Sequence, residues 1–265
     1  CDTLVEIDGV YHLFDENSVW MGEEPDPADM TDLPDGWNKV GGKWYYAMAG
    51  EPIYGEVYDG VWYYCDLNGM VTNGFAEGHA GIYYYGASGA RAEYVGWHMI
   101  DGSWVYFKDN HEVALGWFTV NGTSYFVEES YERDGREYTP TVNMVTGYLV
   151  YDDQLLHFDA SGAYTGTVTG DGWFYGDGDW YYLKDGRVCR DELIEDGGAR
   201  YYVDYDGKMV TNDVAYGYCF GADGKIVMDG WVLIDGEWFY VKTGRVCVGT
   251  HLIDGTVYYF NPYIF

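Results

Sequence analysis

The chain has 265 residues, of which 20% are aromatic, including 30 Tyr and 11 Trp, and it contains 38 Gly. Its 44 acidic residues outnumber its 14 basic ones, which gives a net charge of −30. A protein with that charge repels nucleic acid backbones and anionic membrane surfaces, so we expect neither as a partner. No stretch approaches the roughly 18 apolar residues of a membrane helix, and membrane insertion is not predicted.

A short aromatic strand that follows a turn recurs about twelve times along the chain. The clearest copies lie at 59–64, 101–107 and 235–240, where Asp-Gly precedes a run such as Trp-Tyr-Tyr. A period of about 20 residues is typical of stacked repeat proteins. Such arrays bury their core between neighbours and present one surface many times, so the pattern favours binding over catalysis.

The predicted elements are pairs of short strands joined by two-residue turns. Asp-Gly or Asn-Gly favours a type I′ turn, because both central residues of that turn need positive φ. The predicted turns, in chain order, are Asp8-Gly9, Asp59-Gly60, Asp101-Gly102, Asn121-Gly122, Asp235-Gly236 and Asp254-Gly255. No window has the 3.6-residue period of a helix, so we expect one all-β array from 1 to 265 with about twelve hairpins.

Two segments interrupt the repeat. The first, near 20–36, holds Pro25, Pro27 and Pro34 among acidic residues. The second, near 128–145, is rich in Glu and contains Pro140. Both are predicted to be loops inserted between hairpins, either as solvated spacers or as parts of a binding face.

Side chains on the aromatic strands should alternate between two faces. In the strand near 103–107, Trp104 and Tyr106 share one face, while Val105 and Phe107 share the other. We therefore expect one face to build the core between hairpins and the other to meet ligand or solvent.

The five Cys residues cannot all pair within the chain, because their number is odd. Cys189 and Cys247 hold the same place in two copies of Gly-Arg-Val-Cys, so we expect the repeat rise to separate them. Small buried thiols are the predicted state. No Cys-x-x-Cys spacing indicates a metal site.

Nothing in the sequence indicates catalysis. Most acidic pairs lie at turns, where Asp serves the backbone. The six His are scattered, and His111-Glu112 lacks the second His of a zinc-protease helix. We predict no catalytic residue, no metal site and no cofactor, although a catalytic domain could lie outside this piece.

One unit reads Gly-Trp, then Asp-Gly or Asn-Gly, then Trp-Tyr-Tyr-Phe, then Gly-x-Met/Val-x-Thr-Gly. This pattern resembles the cell-wall-binding or choline-binding repeat family. That family includes the glucan-binding repeats of streptococcal glucosyltransferases and the C-terminal repeats of large clostridial toxins. The resemblance implies an elongated β-solenoid of tandem hairpins of about 20 residues.

In the choline-binding branch of that family, an aromatic box forms between consecutive hairpins. The resemblance places the two best-preserved boxes at Trp62, Phe75 and Tyr84 and at Trp104, Trp117 and Phe126. Other boxes lack a ring. Beside Trp97 and Tyr106 the preceding repeat has Ile82, and beside Trp231 and Tyr240 it has Gly217. After Trp44 and Trp238, the Trp of Gly-Trp is replaced by Glu56 and Thr250. The candidate ligand-binding residues are Trp62, Phe75, Tyr84, Trp97, Trp104, Tyr106, Trp117, Phe126, Trp231 and Trp238.

The predicted function is a non-catalytic, extracellular binding module that recognises carbohydrate or a cell-wall polymer through aromatic platforms. The two alternatives are a choline-binding cell-wall anchor and a structural spacer or adhesin stalk that binds a host glycan or protein. In each case we expect a secreted or surface location on a bacterium. The chain is expected to be a mature product or an excised piece of a larger surface protein.

Overall fold

A computed structural model describes residues 3–7, 10–14, 17–24, 27–134 and 137–262. The chain forms two compact units, Cys1–Val145 and Thr146–Phe265. The regular elements of the described residues are strands, apart from one 3-10 helix at Pro27–Met30. None of the described helical residues forms a helix of the length and apolar character needed to cross a membrane.

The first unit contains β1 (Thr3–Ile7), β2 (Val10–Phe14), β3 (Trp20–Glu24), β4 (Gly36–Val40), β5 (Lys43–Met48), β6 (Glu51–Ile53), β7 (Gly55–Asp59), β8 (Val61–Asp66), β9 (Gly69–Met70), β10 (Gly74–Gly78), β11 (Gly81–Tyr85), β12 (Gly96–Ile100), β13 (Ser103–Phe107), β14 (Gly116–Val120), β15 (Thr123–Asp134) and β16 (Glu137–Met144). The second unit contains β17 (Gly147–Tyr151), β18 (Gln154–Phe158), β19 (Tyr164–Thr167), β20 (Gly172–Gly176), β21 (Asp179–Lys184), β22 (Arg187–Val188), β23 (Glu192–Asp196), β24 (Ala199–Val203), β25 (Asp213–Ala215), β26 (Tyr218–Phe220), β27 (Gly230–Ile234), β28 (Glu237–Lys242), β29 (Arg245–Val246), β30 (Gly249–Ile253) and β31 (Thr256–Phe260).

These strands form twelve separate antiparallel sheets across the described ranges. Each sheet is built on one hairpin, and we number the hairpins 1 to 12 in chain order. Their strand pairs are β1–β2, β4–β5, β7–β8, β10–β11, β12–β13 and β14–β15 in the first unit, and β17–β18, β20–β21, β23–β24, β25–β26, β27–β28 and β30–β31 in the second. The all-β fold of repeated hairpins is thus confirmed, and one continuous array over 1–265 stays a prediction.

The predicted turn chemistry is confirmed at four positions. Both central residues have positive φ at 101–102 (48° and 86°), 121–122 (50° and 83°), 235–236 (49° and 84°) and 254–255 (49° and 82°). This backbone conformation twists in the same sense as the flanking strands, which is why it suits a tight hairpin. Asp8-Gly9 lies outside the described residues.

The type I′ prediction is wrong at Asp59-Gly60. Asp59 pairs with Val61 across the hairpin, so Gly60 alone separates the partners. The carboxylate of Asp59 accepts a hydrogen bond from the indole Nε1 of Trp37 at 3.1 Å. The contact with the preceding hairpin therefore holds Asp59 within the strand rather than in the turn.

Main-chain hydrogen bonds join each of several hairpins to the segment that follows the next hairpin. In the first unit, the amide of Arg91 donates to the carbonyl of Trp62 at 2.7 Å, and that of Val113 donates to Ile82 at 2.9 Å. In the second unit, Met209 donates to Trp180 at 2.7 Å. Successive hairpins within a unit are therefore stacked by backbone contacts as well as by side chains.

The alternation predicted for the aromatic strand near 103–107 is confirmed. Val105 and Phe107 are 1% and 0% exposed and belong to one buried cluster with Ile82 and Val113. Trp104, on the opposite face, is 45% exposed. The core therefore lies between hairpins, and Trp104 on the other face is open to solvent.

The two segments expected as inserted loops are largely regular structure. Residues 128–134 lie in β15 and residues 137–144 in β16, and the pairing of these strands runs from Val127 and Met144 to Asp134 and Glu137. Val142 is 5% exposed and joins the core cluster of hairpins 4 and 5. Burial of one face and a long series of backbone hydrogen bonds therefore stabilise two strands here, although the acidic composition suggested a loop. Near 20–36, residues 20–24 form β3 and residues 27–30 the 3-10 helix.

Four cysteines behave as small apolar side chains. Cys65, Cys189, Cys219 and Cys247 are free and buried, so Cys189 and Cys247 do not pair. Burial raises the pKa of the Cys65 thiol to about 11, which keeps it protonated and unreactive at neutral pH. The fifth, Cys1, lies outside the described residues.

Candidate aromatic binding sites

Five tryptophans share one register position, the second residue of a hairpin's second strand, and all are well exposed. They are Trp44 (44% exposed), Trp62 (38%), Trp104 (45%), Trp180 (41%) and Trp238 (60%). In these five hairpins the alternation of the strand turns this position away from the core, whereas the same position is buried in hairpins 4 and 7, where Ile82 and Leu155 are 1% and 0% exposed. The sequence therefore repeats a solvent-facing indole in hairpins 2, 3, 5, 8 and 11.

Each exposed indole stands opposite another exposed side chain on the first strand. We call the two side chains a platform: Lys39–Trp44, Tyr58–Trp62, Met99–Trp104, Tyr175–Trp180 and Leu233–Trp238. In two platforms the rings touch at an inclined angle, with centroids 5.1 Å apart for Tyr58 and Trp62 and 5.0 Å apart for Tyr175 and Trp180. Cross-strand pairs of this kind form a continuous apolar surface that a flat ligand can cover.

The tryptophan of Gly-Trp has a different environment. Trp97 meets its cross-strand partner Tyr106 edge-on at 5.2 Å and Tyr125 of the next hairpin at 4.9 Å. The same arrangement recurs at Trp37 with Tyr46 and Tyr63, at Trp173 with Tyr182 and Tyr201, and at Trp231 with Tyr240 and Tyr258. Edge-to-face ring pairs stabilise a contact beyond the burial of apolar area. We call these four residues the packing tryptophans, because they hold neighbouring hairpins together.

The packing tryptophans reveal a longer period than 20 residues. They occur in hairpins 2, 5, 8 and 11, and each of those hairpins also carries a platform tryptophan. Every third hairpin therefore supplies both an indole that packs and an indole that faces solvent. The sequence shows this as Gly-Trp followed by a second Trp seven residues later, in the four stretches 36–44, 96–104, 172–180 and 230–238.

The structure assembles part of each predicted box. Phe75 and Tyr84 pair at 5.2 Å, and Tyr84 is only 9% exposed. Trp62 contacts Tyr58 and Arg91 instead, and within the described chain no ring contact joins it to Phe75 or Tyr84.

In the second predicted box, Trp117 and Phe126 pair in the same geometry at 5.2 Å. Trp117 is 42% exposed, whereas Phe126 is 8% exposed. No ring contact of Trp104 with either of them occurs in the ranges described. The two boxes therefore each consist of a packed cross-strand pair, with the exposed tryptophan of the preceding hairpin standing apart.

The remaining candidates divide between the two environments. Trp97 and Tyr106 are half-buried in the packing between hairpins 5 and 6. Trp231 packs against Tyr240 and yet is 38% exposed, and its ring lies 6.4 Å from that of Trp238. Trp238 forms, with Tyr259, the edge of a cleft of about 320 Å³.

A larger cleft in the second unit was missed by sequence reasoning. It has a volume of about 530 Å³ and is lined by Trp173, Tyr175, Gly178, Trp180, Tyr201, Met209, Thr211, Ala222 and Asp223. Hairpin 8 supplies the platform, and the segments after hairpins 9 and 10 supply the opposite wall. Trp180 has the same register position as Trp104, and that shared position was the available signal.

The cleft combines aromatic walls with a few polar groups. Asp223 accepts a hydrogen bond from the ammonium of Lys225 at 2.8 Å, which lowers the pKa of its carboxyl and keeps it ionised. Thr211 is part of the same lining. Among the described residues, no group of three or more His, Cys, Asp or Glu side chains could hold a metal ion. The cleft therefore offers ring faces and hydrogen-bonding groups.

Comparison with known sequences identifies the repeat. The cell wall binding repeat model matches residues 35–47, 191–209 and 229–243, which lie on hairpins 2, 9 and 11. These three segments are similar to cell wall binding repeats. The match confirms the resemblance seen in the sequence, and such repeats form a family of binding modules.

Among curated relatives, glucosyltransferase-I of Streptococcus downei is 27% identical over 273 residues, with 97% of this chain and 16% of that protein covered. Glucosyltransferase-S of the same species is 30% identical over 173 residues, covering 61% and 12%. The chain thus spans less than a fifth of the length of these relatives. Among solved structures, choline binding protein F from Streptococcus pneumoniae has a TM-score of 0.38 and 22% identity, with 87% of this chain and 92% of that chain covered.

Proposed function

We propose that this chain is a non-catalytic module of a secreted or surface-attached bacterial protein, and that it binds a neutral carbohydrate polymer. Successive hairpins of each unit stack as turns of a β-solenoid, and the platforms form the contact sites. One observation carries the proposal: five exposed tryptophans recur at one register position on a protein of net charge −30. Exposed apolar surface repeated in this way on an otherwise charged protein marks a binding site.

The chemistry of the platforms suits a sugar ring. One face of a pyranose presents C–H groups, and covering it with an indole removes apolar surface from water. The hydroxyl groups at the ring edge then need hydrogen-bond partners, which Thr211 and Asp223 supply in the cleft of the second unit. A volume of about 530 Å³ falls in the usual range for small-ligand sites, roughly 300–1,000 Å³.

Repetition compensates for weak individual sites. A shallow platform should bind with a dissociation constant near millimolar, about −4 kcal/mol. When one polymer reaches several platforms, the second contact becomes intramolecular, and the apparent affinity rises by roughly a hundredfold or more. A linear polymer is therefore a better ligand than a free sugar.

The similarity to glucosyltransferases favours glucose polymers as the first ligands to test. A pull-down of the purified chain should compare glucan resin, bacterial cell walls and bare resin, each with and without millimolar choline. We expect retention on glucan, release by soluble oligosaccharide of the same linkage, and no release by choline.

The other outcomes separate the alternatives. Release by choline alone would assign the chain to choline-bearing wall polymer and contradict the neutral-glycan proposal. Absence of retention on every glycan surface would contradict it as well and would favour a spacer or a protein-binding stalk.

A further inference from the structure

The guanidinium of Arg91 lies against two aromatic faces in the first unit. Its Cζ is 4.5 Å from the ring centroid of Tyr83 and 5.4 Å from that of Trp62. Its Nη1 lies 3.6 Å from Oε1 of Glu56, and the two side chains are 20% and 14% exposed. Arg91 is therefore a cation held between two rings and one carboxylate, largely out of water.

The backbone fixes this arrangement. The amide of Arg91 donates to the carbonyl of Trp62 at 2.7 Å, and Arg91 forms an antiparallel bridge with Tyr85. Glu56 is held in turn, because its Oε2 accepts a hydrogen bond from the amide of His79 at 2.9 Å. Tyr83 belongs to a buried cluster and Trp62 packs against Tyr58, so the rings and the carboxylate all have contacts that do not involve the guanidinium.

Arginine placement elsewhere in the chain supports a specific role. Among the five arginines whose side chains are described, three lie over rings: Arg91, Arg200 and Arg245. Arg245 and Arg187 occupy the same place in the two Gly-Arg-Val-Cys copies. Arg245 lies 3.8 Å from the centroid of Tyr218, whereas no ring of the described chain lies under the exposed Arg187. An arginine therefore stacks where the fold places a ring beside it, and the Gly-Arg-Val-Cys motif alone does not produce the stacking.

We infer that Trp62, Tyr83 and Glu56 form a cation site whose built-in occupant is Arg91. The negative faces of the rings and the carboxylate all favour positive charge. The occupant excludes free organic cations from this face of the Trp62 platform. Once it is removed, the site accepts a small planar cation of the guanidinium class. A corollary, which rests on the proposed function, is that a ligand on this platform is uncharged.

The test is chemical rescue of Arg91→Ala by methylguanidinium chloride. Removing Arg91 leaves Glu56 as a part-buried charge without its partner, so the melting temperature should fall. Low millimolar methylguanidinium should raise it again in a saturable way, relative to sodium chloride at the same ionic strength. The wild-type protein and the matched control Arg187→Ala should show no such rise.

Two further variants keep the test decisive. Arg91→Met keeps most of the stem that packs on Trp62, so it can replace the alanine variant if that one does not fold. Arg91→Ala combined with Trp62→Leu should lose the rescue. Absence of a saturable response in both Arg91 variants, or an equal response in the wild type, would overturn the inference. Because the probe is a cation, this outcome is independent of glucan retention.

Discussion

Replacing Trp97 by alanine is expected to lower the free energy of unfolding of the first unit by about 3 kcal/mol. The indole packs edge-on against Tyr106 at 5.2 Å within its own hairpin and against Tyr125 at 4.9 Å in the next. Its loss removes ring contacts on both sides and leaves a cavity between two hairpins. Urea unfolding followed by circular dichroism gives the free energy directly.

The matched control lies in the same hairpin. Trp104 has the same side chain but is 45% exposed and faces solvent. Trp104→Ala should therefore cost less than about 1 kcal/mol, the usual size of a surface substitution effect. Equal losses for the two variants would show that the division into packing and platform tryptophans is wrong.

Replacing Trp180 by alanine is expected to weaken oligosaccharide binding in the second unit by about tenfold or more. A large apolar side chain contributes roughly 1.5–3 kcal/mol when it is fully covered, and each 1.4 kcal/mol is a factor of about ten in affinity. Trp180 and Tyr175 form one wall of the cleft of about 530 Å³. Titration of intrinsic fluorescence or calorimetry with a soluble glucan oligosaccharide measures the change.

Tyr205 provides the control for that experiment. It is 76% exposed, lies in the same unit and is not part of the cleft lining. Tyr205→Ala should leave the affinity unchanged, and both variants should keep the far-ultraviolet spectrum of the wild type. An unchanged affinity of the folded Trp180→Ala variant would show that this cleft is not the oligosaccharide-binding site.

Local chemistry explains why the hairpins could be predicted. Asp101-Gly102 and Asp235-Gly236 specify turns that need positive φ at two successive residues, which few other dipeptides tolerate. The alternation of Trp104, Val105 and Phe107 likewise depends only on strand geometry. Near 128–145 the acidic composition outweighed that alternation in the sequence reasoning, although Val142 had the spacing of a core residue.

The binding surface was only partly predictable. Trp62, Trp104 and Trp238 were identified through the resemblance to the repeat family, in which the first Trp of the aromatic strand lines the box. Their place next to a turn does not by itself give exposure, because Ile82 and Leu155 have the same place and are buried. Trp97 and Trp231 each have one ring partner in their own hairpin and one in the next, and the second contact depends on stacking that no local pattern specifies. The cleft of the second unit needs chain segments from after hairpins 9 and 10 beside Trp180, which only the tertiary fold provides.

The most direct measurement is glucan retention after all five platform tryptophans are replaced together. The variant carries alanine at Trp44, Trp62, Trp104, Trp180 and Trp238, and a control carries Val95→Ser, Tyr205→Ser and Leu252→Ser at exposed positions outside the platforms. We predict that the five-site variant keeps its circular dichroism spectrum but is no longer retained on glucan resin, while the control is retained like the wild type. Undiminished retention of the folded five-site variant would contradict the account.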